Sequence, residues 1–461
     1  MVMGRIVFTT HPRRSLQLFH SSASMQTMQS IDFQRHGTAL LAFVIITVAG
    51  SPLLAEDWPG FRGPTGMGVS SGKNLPMEWG GPESKAVLWK SSLPPTFLKG
   101  DPDHNQSGPI VIGDRVIVTT AHWKAGTDRA KTQPEHHVSC YSATSGKQLW
   151  DRVVEPGPWV MSDLRGGYAV PTPVAADGRI FAVFGSSIIH ALDLNGKQLW
   201  SQVITDHEKF DVALATSPIV FNDTVIMALD KRPPASTIIA WDCATGKQRW
   251  EQKRPETDFS HSTPVLIEAG GKPQMLVSAT HALQGLSPEN GKTLWSCKWG
   301  RSIWPVSSPV VTRGLVFAIG GRGGQPGIIV EPKGMGDLTT TQAKAKIRPM
   351  SEGLSSPVAF EDLVFRVHSG GWLRCFRITN GKELFQVKFP NANPSVSPFV
   401  TPEGRIYFAS AGKSVVIQAA AELKILGESD LGDPSVAAPA IANDRIILKG
   451  RNFLYAIGNL K

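Results

Sequence analysis

Gly146-Lys147-Gln148-Leu149-Trp150 recurs as Gly196-Lys197-Gln198-Leu199-Trp200, Gly246-Lys247-Gln248-Arg249-Trp250, Gly291-Lys292-Thr293-Leu294-Trp295 and Gly381-Lys382-Glu383-Leu384-Phe385. The closing aromatics lie 50, 50, 45 and 90 residues apart, the last interval being two periods of 45 with one copy worn away. A period in this range marks stacked repeats, units that bury their apolar faces only against one another. A second marker keeps step with the first. Gly108-Pro109, Thr172-Pro173, Ser217-Pro218, Thr263-Pro264, Ser308-Pro309, Ser356-Pro357, Ser397-Pro398 and Ala438-Pro439 give eight copies.

After most markers come a polar turn and a β-rich run, as in Asp177-Gly178-Arg179-Ile180-Phe181 and Asp444-Arg445-Ile446-Ile447-Leu448. Runs bounded by Gly, Asn or Asp read as short strands in hairpins. A third run follows, such as Ile189-His190-Ala191-Leu192-Asp193, and the Gly-Lys segment turns the chain into a fourth. Proline donates no ladder bond and suits the first residue of a strand. Asn195-Gly196, Asn290-Gly291 and Asn380-Gly381 supply the positive φ that a tight turn needs. The closing Trp is expected to cover the gap between neighbouring sheets, its indole N–H bonded to a backbone acceptor.

Eight such units predict an all-β, eight-bladed propeller of four-stranded antiparallel blades. The last unit, Ala438 to Ile457, supplies three strands only. Ala86-Val87-Leu88-Trp89-Lys90 has the same Leu-Trp ending without a preceding unit, and is expected to complete the last blade and close the ring. The fifth unit reads Gly334-Met335-Gly336-Asp337-Leu338-Thr339 where its Gly-Lys-Trp segment belongs, which predicts a distorted blade.

The propeller occupies residues 56–461. Residues 1–55 read as an extension and signal peptide, because Arg35 and His36 precede an apolar run, Gly37 to Ala55, that ends in small residues. Pro52 interrupts that run, which argues for cleavage after Ala55 rather than a stable membrane anchor. The long first segment points to Met25 or Met28 as the start. The protein is accordingly expected in the periplasm or outside the cell. Cleavage removes Arg5, Arg13, Arg14, Arg35 and Asp32, leaving 43 basic and 37 acidic side chains, a net of +6. The basic residues are spread through repeat turns without a concentrated stripe, so no nucleic-acid partner is expected. Cys140, Cys243, Cys297 and Cys375 fall in different units and read as separate buried thiols.

The strand-turn unit ending in Thr/Asn-Gly-Lys-x-Leu-Trp resembles the pyrroloquinoline-quinone (PQQ)-type propeller repeat. Asp57-Trp58-Pro59-Gly60-Phe61-Arg62-Gly63-Pro64 resembles the opening of exported propellers of that superfamily abundant in planctomycete bacteria. The resemblance spans nearly all of residues 56–461. It implies either a quinone-dependent alcohol or sugar dehydrogenase or a non-catalytic, BamB-like assembly propeller. The enzymes of that family carry a vicinal disulfide, a Trp floor and a calcium or lanthanide ion held by Glu, Asn and Asp. This chain has no Cys-Cys pair, and no single loop gathers three carboxylates for a hard cation; Trp304 or Trp241 imitates a floor at best. PQQ with calcium is therefore expected only under the enzymatic alternative. The assembly propellers are lipoproteins, and this chain has no cysteine at the cleavage point.

In such a ring, the loops entering each innermost strand share one face with the loops joining second and third strands. That map gathers Trp159, Arg165, Tyr168, Asp230, His261, Trp304, Arg322 and His368 as a candidate binding face. Aromatics and Arg are the residues that binding hot spots favour. No catalytic, cofactor or metal residue is assigned. Gly320-Gly321-Arg322-Gly323-Gly324 lacks the helix and Lys-Ser/Thr of a phosphate loop. His122, His136 and His137 offer metal-ligand chemistry, but read first as part of a long surface insertion rich in Lys and His. Gly-x-Ser-x-Gly and His-Glu-x-x-His are absent. The expectation is an exported monomeric scaffold of the cell envelope that engages a protein or polymer at one face.

Overall fold

Eight sheets arranged in a ring account for the structure, a computed structural model that describes residues 57–94, 105–124, 126–128, 131–160, 167–204, 214–300, 304–321, 326–348, 354–389 and 396–459. The expected signal segment and its expected cleavage point lie outside the described residues. The first blade shows the pattern: Ile110–Ile112, Arg115–His122, Glu135–Ser142 and Gln148–Val154, each antiparallel to the next. Strands that open neighbouring blades lie side by side around the centre. The eighth blade combines Ala440–Ala442, Arg445–Lys449 and Phe453–Ile457 with Val87–Ser92 from the start of the chain. Lys90 pairs with Tyr455 and Ser92 with Phe453, so the expected closure is present.

The repeated Gly-Lys phrase works across blade boundaries. Gly146, Gly196, Gly246 and Gly291 all have φ near +70° to +80° and each lies against the Trp of the preceding blade. A Cβ at Gly246 would stand 2.6 Å from the Trp200 ring. The indoles of Trp89, Trp150 and Trp200 donate to the carbonyls of Ala143, Leu194 and Cys243 in the next blade, at 2.9, 3.1 and 3.0 Å. Trp250 departs from the expectation: its buried Nε1 has no protein acceptor.

A feature the sequence did not announce sets these rings in place. The pairing of third and fourth strands slips by one residue at Cys140/Tyr141, Ala191/Leu192 and Ala240/Trp241, and at the equivalent step in the later blades. Such a bulge turns one residue out and re-aims its neighbour. Leu149 and Leu199 are the residues turned out, 48% and 42% exposed, while Trp200 is buried against the third blade.

The expected distortion of the fifth blade takes a specific form. That blade keeps four strands, Val310–Thr312, Leu315–Ala318, Gly327–Val330 and Ala343–Ile347. The Gly334–Thr339 stretch instead leaves it and adds Gly336–Asp337 as a fifth, parallel strand beside Thr293–Lys298 of the fourth blade. Lacking a Gly-Lys turn to receive it, Trp295 is wholly buried and donates within its own blade to Gln274 Oε1 at 2.7 Å.

The Ser/Thr-Pro marker carries a second role besides starting strands. Gly108 N–H donates to Thr172 Oγ1, Thr172 N–H to Ser217 Oγ and Ser217 N–H to Thr263 Oγ1, at 2.9 to 3.1 Å. Ser308 Oγ donates to the Thr263 carbonyl, Ser308 N–H donates to Ser356 Oγ, and Ser356 N–H to Ser397 Oγ. Hydroxyls thus link each blade to the next around the inner rim from the first to the seventh. Ala438 has no hydroxyl to offer. Gly108 meets its carbonyl so closely that a Cβ there would lie 2.7 Å away.

The Trp58–Ser70 stretch crosses the ring at the end where first and second strands turn. Trp58 bridges to Val111, the Pro59 carbonyl accepts from Ala175, Met67 Sδ accepts from Val311, and Val69 bridges to Val400. Arg62 is 2% exposed and its Nη2 donates to the carbonyls of Met67 and Pro357. Burial lowers its pKa to about 9. All four cysteines are buried free thiols, as expected.

Candidate functional site

The face opposite the crossing segment carries the inter-blade connections and the hairpins joining second to third strands. Arg165 and Arg322 lie outside the described residues; the other six candidates separate into packed and presented groups.

Trp159 and Tyr168 are packed side chains. Trp159 is 9% exposed and Tyr168 1%, and both pack into the interface of the first two blades with Phe184 and Ile188. Tyr168 meets Trp123 edge-on at 5.8 Å and tilts on His136 at 5.5 Å. These connections tuck back under the first blade's long hairpin, so their aromatics are core. Trp241, the other possible floor, is 3% exposed between the second and third blades.

His368 is also buried, at the end of Leu363–His368. Arg366 and Arg374 face each other across the strand pair beside it, and Arg374 is ion-paired to Glu383. Burial first, then Arg366 and Arg374, depress the His368 pKa to about 4. Its imidazole is therefore neutral at pH 7.

Around the third and fourth blades the candidates do come together. Asp230 follows Thr224–Leu229 and is buried in an ion pair with Arg254, which also donates to Gln284 Oε1 at 2.9 Å. Burial pushes the Asp230 carboxyl up to about 6 against the pull of Arg254. Beside this pair, the Arg232 guanidinium lies 6.0 Å from the Phe259 ring, and Trp304 meets Phe259 edge-on at 6.2 Å. His261 is half-buried and its N–H donates to the Pro305 carbonyl at 2.7 Å. Trp304 has φ +51°, a conformation costly for a bulky residue, of order 1–3 kcal/mol. Exposed Arg232 and half-buried Trp304 are the presented part of the face, and both lie against the buried ring of Phe259, 7% exposed. Phe259 and Arg232 were missed as site residues. Their signal was position alone, since each sits in a loop already mapped to this end.

A cleft of about 1140 Å³ opens where the eighth and first blades meet, lined by Asp57, Asp114, Arg115, Asp444 and Arg445 among others. It too was not anticipated, because its walls are turns from distant parts of the sequence.

Ring and repeats define the class: an eight-bladed propeller of PQQ-like units. The family model described as outer membrane protein assembly factor BamB matches residues 80–209 and, overlapping them, 134–384, and the chain belongs to that family. Among solved structures, the chain is similar to BamB from Moraxella catarrhalis (14% identity, TM-score 0.53, 80% of this chain and 98% of that one). It is similar also to a europium-containing methanol dehydrogenase (14%, TM-score 0.59, 87% and 89%). A third is the quinohemoprotein alcohol dehydrogenase from Comamonas testosteroni (14%, TM-score 0.51, 88% and 81%). At this identity the likeness is one of fold. No curated protein sequence matches the chain.

The dehydrogenase neighbours pose a test for the residues at the face. A hard cation needs about six or more oxygen donors converging on one point. Asp230 is held by Arg254, and among the described residues no three carboxylates converge.

Proposed function

We propose that this protein is an exported, non-catalytic scaffold of the cell envelope that engages a protein or envelope polymer at the face bearing Arg232, Phe259 and Trp304. One observation carries the reading: the exposed Arg232 guanidinium lies over the buried Phe259 ring and Trp304 meets that ring edge-on, two residues along the chain from the buried Asp230–Arg254 pair. Buried ion pairs fix geometry at a cost in desolvation, and aromatic and Arg anchors in such surroundings dominate binding energies. The strained backbone at Trp304 supports the same assignment. Family membership adds that the description of relatives is an assembly factor for outer membrane proteins, which favours a polypeptide partner over a small substrate.

The test is a titration of purified protein with an unfolded outer-membrane β-barrel polypeptide and, separately, with peptidoglycan fragments. Micromolar binding to one of them, weakened at least tenfold by Trp304→Ala and by Arg232→Ala, is the expected result; a tenfold loss is about 1.4 kcal/mol. Undiminished binding by both variants would remove this face from the account. Reduction of an artificial electron acceptor that requires added quinone and calcium would replace the reading with the dehydrogenase one.

A further inference from the structure

The strands Arg115–His122 and Glu135–Ser142 of the first blade are the longest described, eight residues each, and they carry a histidine cluster that the binding-face reading does not use. His136 and His137 are not in a surface insertion, as the sequence suggested, but within the third strand and buried. The two point to opposite faces of the sheet. His136 stacks on Phe184 toward the second blade. His137 shares the other face with His122 and Glu135, which pair directly across the two strands at the mouth of the hairpin.

The three side chains bring one potential ligand atom each to within 4.8 Å of one another. The rings of His122 and His137 stack at 4.2 Å. Glu135 Oε2 lies 3.9 Å from His137 Nε2, while Oε1 binds the exposed Lys124. The His137 side chain is only 9% exposed, and its Nδ1 is held by Asp151 Oδ2 at 2.8 Å. That bond makes Nδ1 the donor and leaves the Nε2 lone pair directed at the cluster. Nε2 of His137 and Nδ1 of His122 are both buried without a hydrogen-bond partner among the described residues. A buried imidazole nitrogen with no partner is a costly arrangement unless something else occupies it.

From this geometry we propose that His122, Glu135 and His137 bind a divalent transition ion, zinc before others, with Asp151 as the carboxylate that orients His137. Two imidazole nitrogens and one carboxylate oxygen suit zinc and not calcium or magnesium, which take oxygen shells. Bonds of about 2.1 Å place donors about 3.4 Å apart, so closure needs roughly 1 Å of movement by the half-buried His122 and Glu135. The Asp151–His137 contact is the carboxylate–histidine support that metal-bound imidazoles commonly have. A tetrahedral ion would keep a fourth position for water or a ligand. Its place, where the second and third strands part, would also tie down the connection over residues 123–134.

The experiment is a competition titration of the full chain with Zn²⁺ against a chromophoric chelator, together with limited trypsinolysis at Lys124 and Lys131. One equivalent should bind and slow cleavage there, with Mg²⁺ having no such effect. His122→Ala should weaken binding at least 100-fold, and Glu135→Gln and Asp151→Asn each 10- to 100-fold. His281→Ala, an exposed imidazole elsewhere, should leave it unchanged. Melting curves in chelator establish that the variants are folded. Absence of stoichiometric binding, or equal affinity in His122→Ala, would overturn the site, and neither outcome bears on the Trp304 face.

Discussion

Gly246 and Trp200 show how one side chain and one missing side chain make a joint. Gly246→Ala forces a Cβ to 2.6 Å from the indole and places alanine at φ +68°. We expect a loss of about 2–4 kcal/mol, combining overpacking with left-handed strain. Trp200→Ala leaves a cavity and frees the Cys243 carbonyl, and should cost about 3–5 kcal/mol. Urea unfolding of both variants measures this, and a cost under 1 kcal/mol for either would contradict the joint. The turn glycines were legible because Asn-Gly between apolar runs has few other uses. That each glycine receives its predecessor's Trp was not legible, since the contact spans a blade boundary. The burial of Trp159 and Tyr168 was not legible for a related reason: a loop position in sequence does not tell what packs over it.

At the scale of strands and connections, Val87–Ser92 is the element with most at stake. It supplies the outer strand of the eighth blade, and Trp89 anchors that blade on the first through Ala143. Deleting residues 83–92 should lower the melting temperature sharply, by well over 10 °C on a scale of a few degrees per kcal/mol. An unchanged melting curve would refute the closure. This strand could be placed from sequence because a three-strand final unit and a Leu-Trp without a unit fit only each other. The Gly336–Asp337 strand could not. Nothing local in Gly334–Thr339 specifies parallel pairing with Trp295 and Ser296. Counting strands assigns these loops to one end of the ring, yet Arg232 and Trp304 are presented while Phe259 between them is buried, because burial there depends on connection length and on what packs beneath.

For the molecule as a whole, two buried groups give opposite pH signatures. His368 titrates near 6.5 when unfolded and near 4 when folded. Its contribution is present above pH 6.5 and is lost as pH falls toward 4, since the unfolded chain then binds more protons. Asp230 runs the other way, from 3.8 unfolded to about 6 folded, so its contribution is present below pH 4 and lost as pH rises through 6. Between pH 6.5 and 4, His368→Gln should make the acid-side fall in stability shallower, and Asp230→Asn should make it steeper. Urea midpoints across that range decide both, and identical slopes in the two variants would contradict the assignment. The hydroxyl links of the inner rim run from the first blade to the seventh and end there. The eighth blade offers no marker hydroxyl to either neighbour, and its sheet takes strands from both the early and the late parts of the chain. No intermediate length of polypeptide emerging from a ribosome holds a finished wheel. The protein acquires its locked form only after its final strands have been made, and until then a cell must shelter seven blades with raw edges.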